Sequence, residues 1–472
     1  MKNLSNIIFS FLLLFFFDFS FAQASETEVD STYLIYQEQL KDLYISRGLG
    51  SSKKEIDSIM SLYKTNQISS NENFAQILST LFPKNQGICF LTYFYQNNIL
   101  KIVLFEPGKV VQVKKIPISK EELLALNHDV ITSLELFEQV VNRAPKSRLR
   151  AIVKKSDDEK LFDNVVKKAT ETLIPDSFSE NYKQLVIMPA FNIGVFPFHL
   201  LKPYSDGSYL IEKCTFTIAP SLMDIIALRT RMISIATGGR IGAYQIDEML
   251  RNATPYQPKN IFKLGFTFEN PLFVCNPIYP KNEEYNFPDL PGAKQEIDSA
   301  IIYSKKYTLL EGKDAYKDNV ISLMNKKDVV YFATHGIADQ ENPMEKSYLV
   351  LSEPQPYLTA KDVMDLRLKP DFVFPEMVIL SACQTGLGRF MEAGTAGLAR
   401  SFLIGGSNHV IMSLWSVDDN ATAYLMQRFI YHLTKPMLFT PSEQMRLAVL
   451  DTMKKYPNPA YWASFSVFGV DY

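Results

Sequence analysis

Apolar and polar positions fall into blocks along the chain, and the period of the blocks changes several times. Between Ser31 and Phe82, apolar residues such as Tyr33, Tyr36, Leu40, Leu43 and Tyr44 recur at helical spacing. From Gly87 the period shortens, and the pattern predicts strands over Ile88 to Tyr95, Ile99 to Phe105 and Val110 to Ile116. Gln96-Asn97-Asn98 and Glu106-Pro107-Gly108 are the turn signals between them. Helical spacing returns over Lys120 to Leu136 and Lys160 to Leu173, and an unbroken apolar run over Gln184 to Pro189 predicts a strand buried on both faces. Residues 229 to 264, with Gly238-Gly239-Arg240, Pro255 and Pro258, are irregular and read as a connection. Beyond them strand and helix alternate: a strand over Leu272 to Asn276, helices from Pro291 to about Lys306 and from Tyr316 to Asn325, and a later strand over Val410 to Leu414. Such alternation predicts an α/β fold, a mostly parallel sheet with both faces covered.

Two of the buried runs end in chemistry. Val329-Val330-Tyr331-Phe332-Ala333 leads into Thr334-His335-Gly336, and Met377-Val378-Ile379-Leu380 leads into Ser381-Ala382-Cys383-Gln384-Thr385-Gly386. Parallel strands present such residues at their carboxyl edge, where open α/β sheets bind ligands. If the two strands are close, Cys383 is a candidate nucleophile and His335 its base, the imidazole taking the thiol proton and returning it to the leaving amine. The backbone N–H groups of Gly336 and Cys383 are the candidate oxyanion donors. Taken singly, Cys383 also fits a buried small hydrophobe and His335 a strand-end histidine. His199 beside Phe198, His409 before an apolar strand and His432 on an amphipathic helix read as structural. Metal binding fails on ligand count, because His335 and Cys383 have no second pair at ligand spacing. Gly386-Leu387-Gly388 lacks the third glycine and the lysine of a phosphate loop, so no cofactor is implied.

Composition narrows the class. The chain has 472 residues, 47% of them hydrophobic, enough for two domain-sized cores. A net charge of −2 without a long basic run argues against nucleic acid as a partner. Lys2, the apolar stretch Ile7 to Phe17 and the small residues around Ala22 predict a cleaved signal peptide over residues 1 to 22. The stretch falls short of the roughly 20 residues that span a bilayer, so no stable membrane span is expected after cleavage. Export to a periplasmic or secreted location follows as an expectation. Cys89, Cys214 and Cys275 show no paired spacing, and free buried thiols or a Cys89–Cys214 bridge both fit.

Taken together, Thr334-His335-Gly336 and Ser381-Ala382-Cys383-Gln384-Thr385-Gly386 resemble the CHAT domain family. So do Leu290-Pro291-Gly292-Ala293 with Glu296, Gly397-Leu398-Ala399-Arg400, Ser413-Leu414-Trp415-Ser416-Val417-Asp418-Asp419 and Tyr461-Trp462-Ala463. The resemblance departs at Gln384, where the family usually has Glu, and at Met391-Glu392-Ala393-Gly394, where it has a Gly-Glu-Gly loop. It implies a caspase-like α/β/α sandwich and a cysteine peptidase working on a protein or peptide substrate, with a protein activator as a further partner. The implied organisation is a signal peptide (1–22), a helical segment (23–84), a non-catalytic caspase-like half (85–228), a connection (229–264) and a catalytic half (265–472). The repeat arrays that often accompany the family are not visible as a 34-residue period. A non-catalytic scaffold or peptide-binding module is the alternative. Asp418 and Asp419 follow the strand after the Cys383 helix. They read either as the acids of a pocket for Arg, ahead of Lys, or as caps of the helix beginning near Asn420. The similar run in separase, which cuts after Arg, favours Asp419 for the pocket. Caspase-like proteases often mature by cutting between segments, which makes Gly238-Gly239-Arg240 a candidate self-processing site.

Overall fold

The computed structural model describes residues 71–84, 86–143, 157–219, 225, 228, 229, 232, 268–281, 287–338, 343–381, 392–415, 418–435 and 440–471. The expected signal segment, the whole of the expected helical stretch before residue 71, Gly238-Gly239-Arg240 and Cys383 lie outside them.

Fourteen strands are found among the described residues, and eleven of them form one sheet. The first part of the chain gives α1 (Asn71–Leu81), then the meander β1 (Ile88–Gln96), β2 (Ile99–Glu106) and β3 (Lys109–Pro117). Asn97 and Asn98, both at positive φ, make the first turn, and Gly108 at φ 87° makes the second. Next come α2 (Lys120–Arg143), α3 (Asp157–Leu173), β4 (Gln184–Met188) and β5 (Thr215–Ile218). The later part gives β6 (Leu272–Pro277), α4 (Pro291–Ile301), β7 (Thr308–Gly312), α5 (Lys317–Met324), β8 (Val329–Ala333), β9 (Gly336–Ile337), β10 (Tyr348–Val350) and β11 (Tyr357–Thr359). It closes with β12 (Met377–Ser381), α6 (Glu392–Gly405), β13 (His409–Ser413), α7 (Asp419–Leu433), α8 (Pro441–Lys455) and β14 (Phe465–Gly469).

The strand order is β3-β2-β1-β4-β5-β14-β13-β12-β8-β6-β7. Every neighbouring pair is parallel except β3–β2, β2–β1 and β14–β13. The mostly parallel α/β sheet is therefore present. It is also continuous: β14 returns antiparallel to β13 and pairs with β5, so the upstream strands and the β6–β14 strands share one sheet.

Consecutive strand residues point to opposite faces, and this fixes the layers. Tyr331 reaches Glu296 on α4, whereas its neighbour Phe332 stacks on Phe402 of α6 at 6.2 Å between ring centroids. Helices α4 and α6 therefore cover opposite faces. The α4 layer continues as α7 against α4 and α8 against α7. All five residues of β8 and of β13 are buried, which accounts for the apolar runs Val329 to Ala333 and Val410 to Met412.

Helix starts follow local chemistry. Pro291 takes the first turn of α4, where its missing N–H costs nothing. Thr440 and Glu443 form a reciprocal capping box at α8, each side chain accepting the other's backbone N–H. Helix α4 ends at Ile301, short of the expected Lys306, because the chain turns there and Ser304 bonds the Lys306 carbonyl at 2.7 Å. No helix among the described residues is long and apolar enough to cross a membrane.

Candidate active site

Strands β8 and β12 are adjacent and parallel, with Tyr331 opposite Ile379 and Ala333 opposite Ser381. β13 runs parallel on the far side of β12 and β6 parallel on the far side of β8. Four carboxyl ends therefore open on one edge of the sheet, the place where parallel strands deliver functional groups. His335 stands there, two residues past the end of β8.

The imidazole of His335 is 3% exposed. It packs against Tyr279, at 4.7 Å and 61°, and Phe287, at 5.3 Å, the three rings touching one another. Its Nε2–H donates to the Pro288 carbonyl at 2.7 Å. Burial pulls its pKa below the usual histidine value, partly opposed by that bond. The neutral ring with its proton on Nε2 leaves the lone pair on Nδ1. Thr334 ties the same turn down, its single O–H donating to the Val350 carbonyl at 2.5 Å while its oxygen lies within hydrogen-bond distance, 3.3 Å, of the Tyr279 hydroxyl.

The Pro288 carbonyl is itself held in place. Asn276, the bulged residue near the end of β6 at φ 40°, accepts the Leu290 N–H on its side-chain oxygen at 3.1 Å. Gly336 lies opposite Leu349, while the Val350 N–H donates to the His335 carbonyl at 2.8 Å. That bond makes 335/350 the hydrogen-bonded pair and 336/349 the open one, so the Gly336 N–H turns away from β10.

A second cluster sits beneath the same edge. Glu296 of α4 is buried, and its Oε2 accepts from Ser381 Oγ at 3.1 Å. Its Oε1 accepts from Tyr331 Oη. Burial pushes the Glu296 carboxyl up to about 7, the two hydroxyl bonds oppose this, and Asp419 pushes it further up.

The two candidate pocket acids are both exposed and occupy different positions. Asp418 is the N-cap of α7, its Oδ1 accepting the backbone N–H of Asn420 and of Ala421, each at 3.0 Å. Asp419 lies over the start of α4, so close that a Cβ on Gly292 would stand 2.2 Å from its Cγ. His335, Gly336, Asp418 and Asp419 are thus all described, and Cys383 is not.

The other histidines and thiols are placed elsewhere. His199 is buried against Phe216 at 4.6 Å. His409 meets Asp471 at 3.1 Å with both side chains buried, and His432 meets Asp451 at 2.9 Å. Cys89, Cys214 and Cys275 are buried free thiols. Sequence reasoning missed Pro288, Tyr279, Phe287 and the Tyr331–Glu296–Ser381 cluster. Pro288 contributes a backbone atom, which no residue type announces. Glu296 did leave a signal: it is a carboxylate on the buried stripe Gly292, Ala293, Glu296, Ile297 and Ala300 of α4.

Comparison with known proteins adds the family. Tetratricopeptide repeat protein 28 of Mus musculus is 23% identical over 333 residues, a match covering 61% of this chain and 12% of that protein. The Homo sapiens protein of the same name is 23% identical over 329 residues, again 61% and 12%. The matched stretch is thus about an eighth of these relatives' length. Among solved structures, the Saccharomyces cerevisiae separase–securin complex is similar at a TM-score of 0.47 and 11% identity, covering 91% of this chain and 32% of that one. The complex of Porphyromonas gingivalis RgpB pro- and mature domains gives a TM-score of 0.41 and 11% identity, covering 75% and 77%. The family model described as the CHAT domain matches residues 159–470, which take in the whole β4 to β14 sheet with the His335 edge, and the chain belongs to that family.

Proposed function

We propose that the chain is an exported caspase-like cysteine endopeptidase. Cys383 is the nucleophile, and His335 is first base and then acid. The N–H groups of Gly336 and Cys383 meet the oxyanion, and Asp419, with Asp418 beside it, selects Arg or Lys before the cut bond. The observation that carries this reading is the state of His335: a buried, neutral imidazole whose Nε2–H is fixed on the Pro288 carbonyl, leaving Nδ1 as a proton acceptor at the carboxyl edge of the sheet.

Chain connectivity supports the partner. Cys383 follows Ser381 by two residues, so their Cα atoms are at most about 7 Å apart. His335 follows Ala333, the register partner of Ser381, by the same two residues, and adjacent strands lie about 4.8 Å apart. In the reaction, Nδ1 removes the thiol proton and the thiolate attacks the peptide carbonyl. The imidazolium then protonates the leaving amine as the C–N bond breaks. Water, deprotonated by the same Nδ1, hydrolyses the thioester. The direction of the Gly336 N–H, away from β10, supports its role at the oxyanion. Residues 1 to 22 carry the export proposal, and a protein activator is proposed as a partner beside the protein or peptide substrate.

The test is covalent labelling by an electrophilic peptide probe together with an unbiased peptide-library cleavage profile, on the protein lacking residues 1–22. Labelling at Cys383 that is lost in Cys383→Ala, with cleavage, is expected. A folded wild type that binds peptides but neither labels nor cuts would establish the binding-module reading instead.

A further inference from the structure

We propose that Glu296 is the positioning residue of the dyad: through Tyr331 and Ser381 its buried carboxylate ties the strand that leads to His335 to the strand that leads to Cys383, holding the two strand ends at the spacing proton transfer needs. The proposal rests on the cysteine-peptidase reading above and extends it to a group that touches neither substrate nor reacting atoms.

The geometry is a three-point clamp. Glu296 belongs to α4, Tyr331 to β8 and Ser381 to β12, and each carboxylate oxygen serves a different strand. Tyr331 lies four residues before His335 and Ser381 two before Cys383. Both point to the α4 face, as their odd numbering in paired register requires. A side chain at this position of α4 has only to be apolar to fill the core, and a carboxylate costs desolvation there. Among the described residues no Lys or Arg forms an ion pair with Glu296, so no salt bridge offsets that cost. What the carboxylate supplies, and a leucine would not, is two acceptors on two strands.

The clamp depends on charge. An ionised carboxylate accepts from both hydroxyls. A protonated one has its own O–H to place and is a poorer acceptor at that oxygen, so one of the two hydroxyl bonds is weakened or reversed. The titratable groups facing Glu296 are Tyr331 from β8, Cys275 from β6 and Asp419 from α7. Burial pushes the Tyr331 phenol and the Cys275 thiol up, so both are neutral near pH 7 and Asp419 is the charged neighbour. A substrate cation beside Asp419 offsets that negative charge, favours ionised Glu296 and completes the clamp when the site is loaded.

The experiment compares wild type with Glu296→Gln, Tyr331→Phe and Ser381→Ala by two readouts. One is kcat and KM on peptides with Arg or norleucine before the cut bond. The other is the pH dependence of Cys383 alkylation by iodoacetamide, located by peptide mass mapping, which needs no turnover. Glu296→Gln is expected to lower kcat about tenfold to a hundredfold, the scale of small misplacements at a reacting centre. KM should stay within about twofold, and the acid limb near pH 7 should disappear from both profiles, leaving the His335 limb below it. Tyr331→Phe and Ser381→Ala should each lose part of the same factor, and neither should add to Glu296→Gln. Unchanged profiles in Glu296→Gln, or additive losses, would overturn the proposal. If Glu296→Gln fails to fold, the Tyr331→Phe/Ser381→Ala double variant must reproduce the kcat loss and the altered profile; normal values there overturn it equally. A wild type without turnover would sink the peptidase reading alone, since the alkylation profile still decides the role of Glu296.

Discussion

Gly292→Ala adds one methyl at the point where two helix starts meet. The new Cβ would lie 2.2 Å from Asp419 Cγ, 2.3 Å from Oδ2 and 2.6 Å from Asp419 Cβ. Carbon atoms sit comfortably at about 3.5–4.0 Å, so each overlap exceeds about 0.9 Å. Rotating Asp419 about χ1 moves Cγ and the carboxylate away but leaves its Cβ in place, so the first turn of α7 must shift as well. Overpacking of this kind costs about 1–3 kcal/mol. Ala in place of Gly in a helix returns up to about 1 kcal/mol, and less in the first turn. The net expectation is a loss of about 1–2 kcal/mol, read as a lower urea midpoint at unchanged m-value. The functional effect should be larger than the stability effect, because the displaced group is the proposed pocket acid. In a matched fluorogenic set differing only in Arg, Lys, Asp or Leu before the cut bond, Arg preference should shrink while Leu turnover changes little. Gly292→Ala/Asp419→Gly removes these three overlapping atoms and should recover most of the stability but not the Arg preference. Unchanged stability and unchanged preference in Gly292→Ala would refute the placement of Asp419 over α4.

The dyad gives a second prediction: Cys383→Ala and His335→Ala each abolish cleavage in a folded protein, and the double variant is little worse than either, whereas near wild-type turnover by Cys383→Ala rules the mechanism out. Burial holds His199 down at about 3 in the folded chain, against about 6.5 when unfolded, so below pH 6.5 only the unfolded chain takes the proton. Stability is then lost as pH falls from 6.5 towards 3, by up to about 1.4 kcal/mol per pH unit; His199→Gln should flatten this slope in urea titrations at pH 7, 6 and 5, and parallel slopes would contradict it. Burial pushes the Cys214 and Cys275 thiols up to about 12 and raises Cys89 as well. These three should resist iodoacetamide at pH 8 until urea is added, and native labelling at any of them would contradict their burial.

What the sequence showed and what it hid divide along one physical line. Elements whose signal is local were legible: β8 and β12 span the apolar runs read from the sequence, and β1 to β4 agree within a residue at each end. The chemistry of the edge was legible for the same reason, since His335 is a polar residue ending a buried run. Features that depend on partners far along the chain were not. The Asn276–Leu290 bond that steadies Pro288 couples residues 14 apart through a side chain and an N–H, and the Pro288 carbonyl that orients His335 is a backbone atom. Asp418 and Asp419 were left open between cap and pocket because both are adjacent acids before a helix. Their distinction needs α4, more than a hundred residues upstream, whose Gly292 lies against Asp419 while Asp418 caps α7.

The continuity of the sheet bears on how a site at one edge is kept rigid. β13 ends at the His335 edge and β14 runs back beside it, so without β5, β14 would be an unpaired edge, open to pairing with another chain. The pairing of Phe468 with Ile218 closes it. Ser442 of α8 donates to Asp471 Oδ2, His409 meets Asp471 Oδ1 at 3.1 Å, and the Arg229 guanidinium reaches the Asp471 carbonyl at 3.3 Å and the Leu81 carbonyl at 3.0 Å. These contacts gather the start of β13, the end of β14 and α1 at the amino end of β13, opposite the His335 edge. The upstream strands thus act on the His335 edge through packing: they cover β14, β14 fixes β13, and β13 flanks β12, which leads towards Cys383.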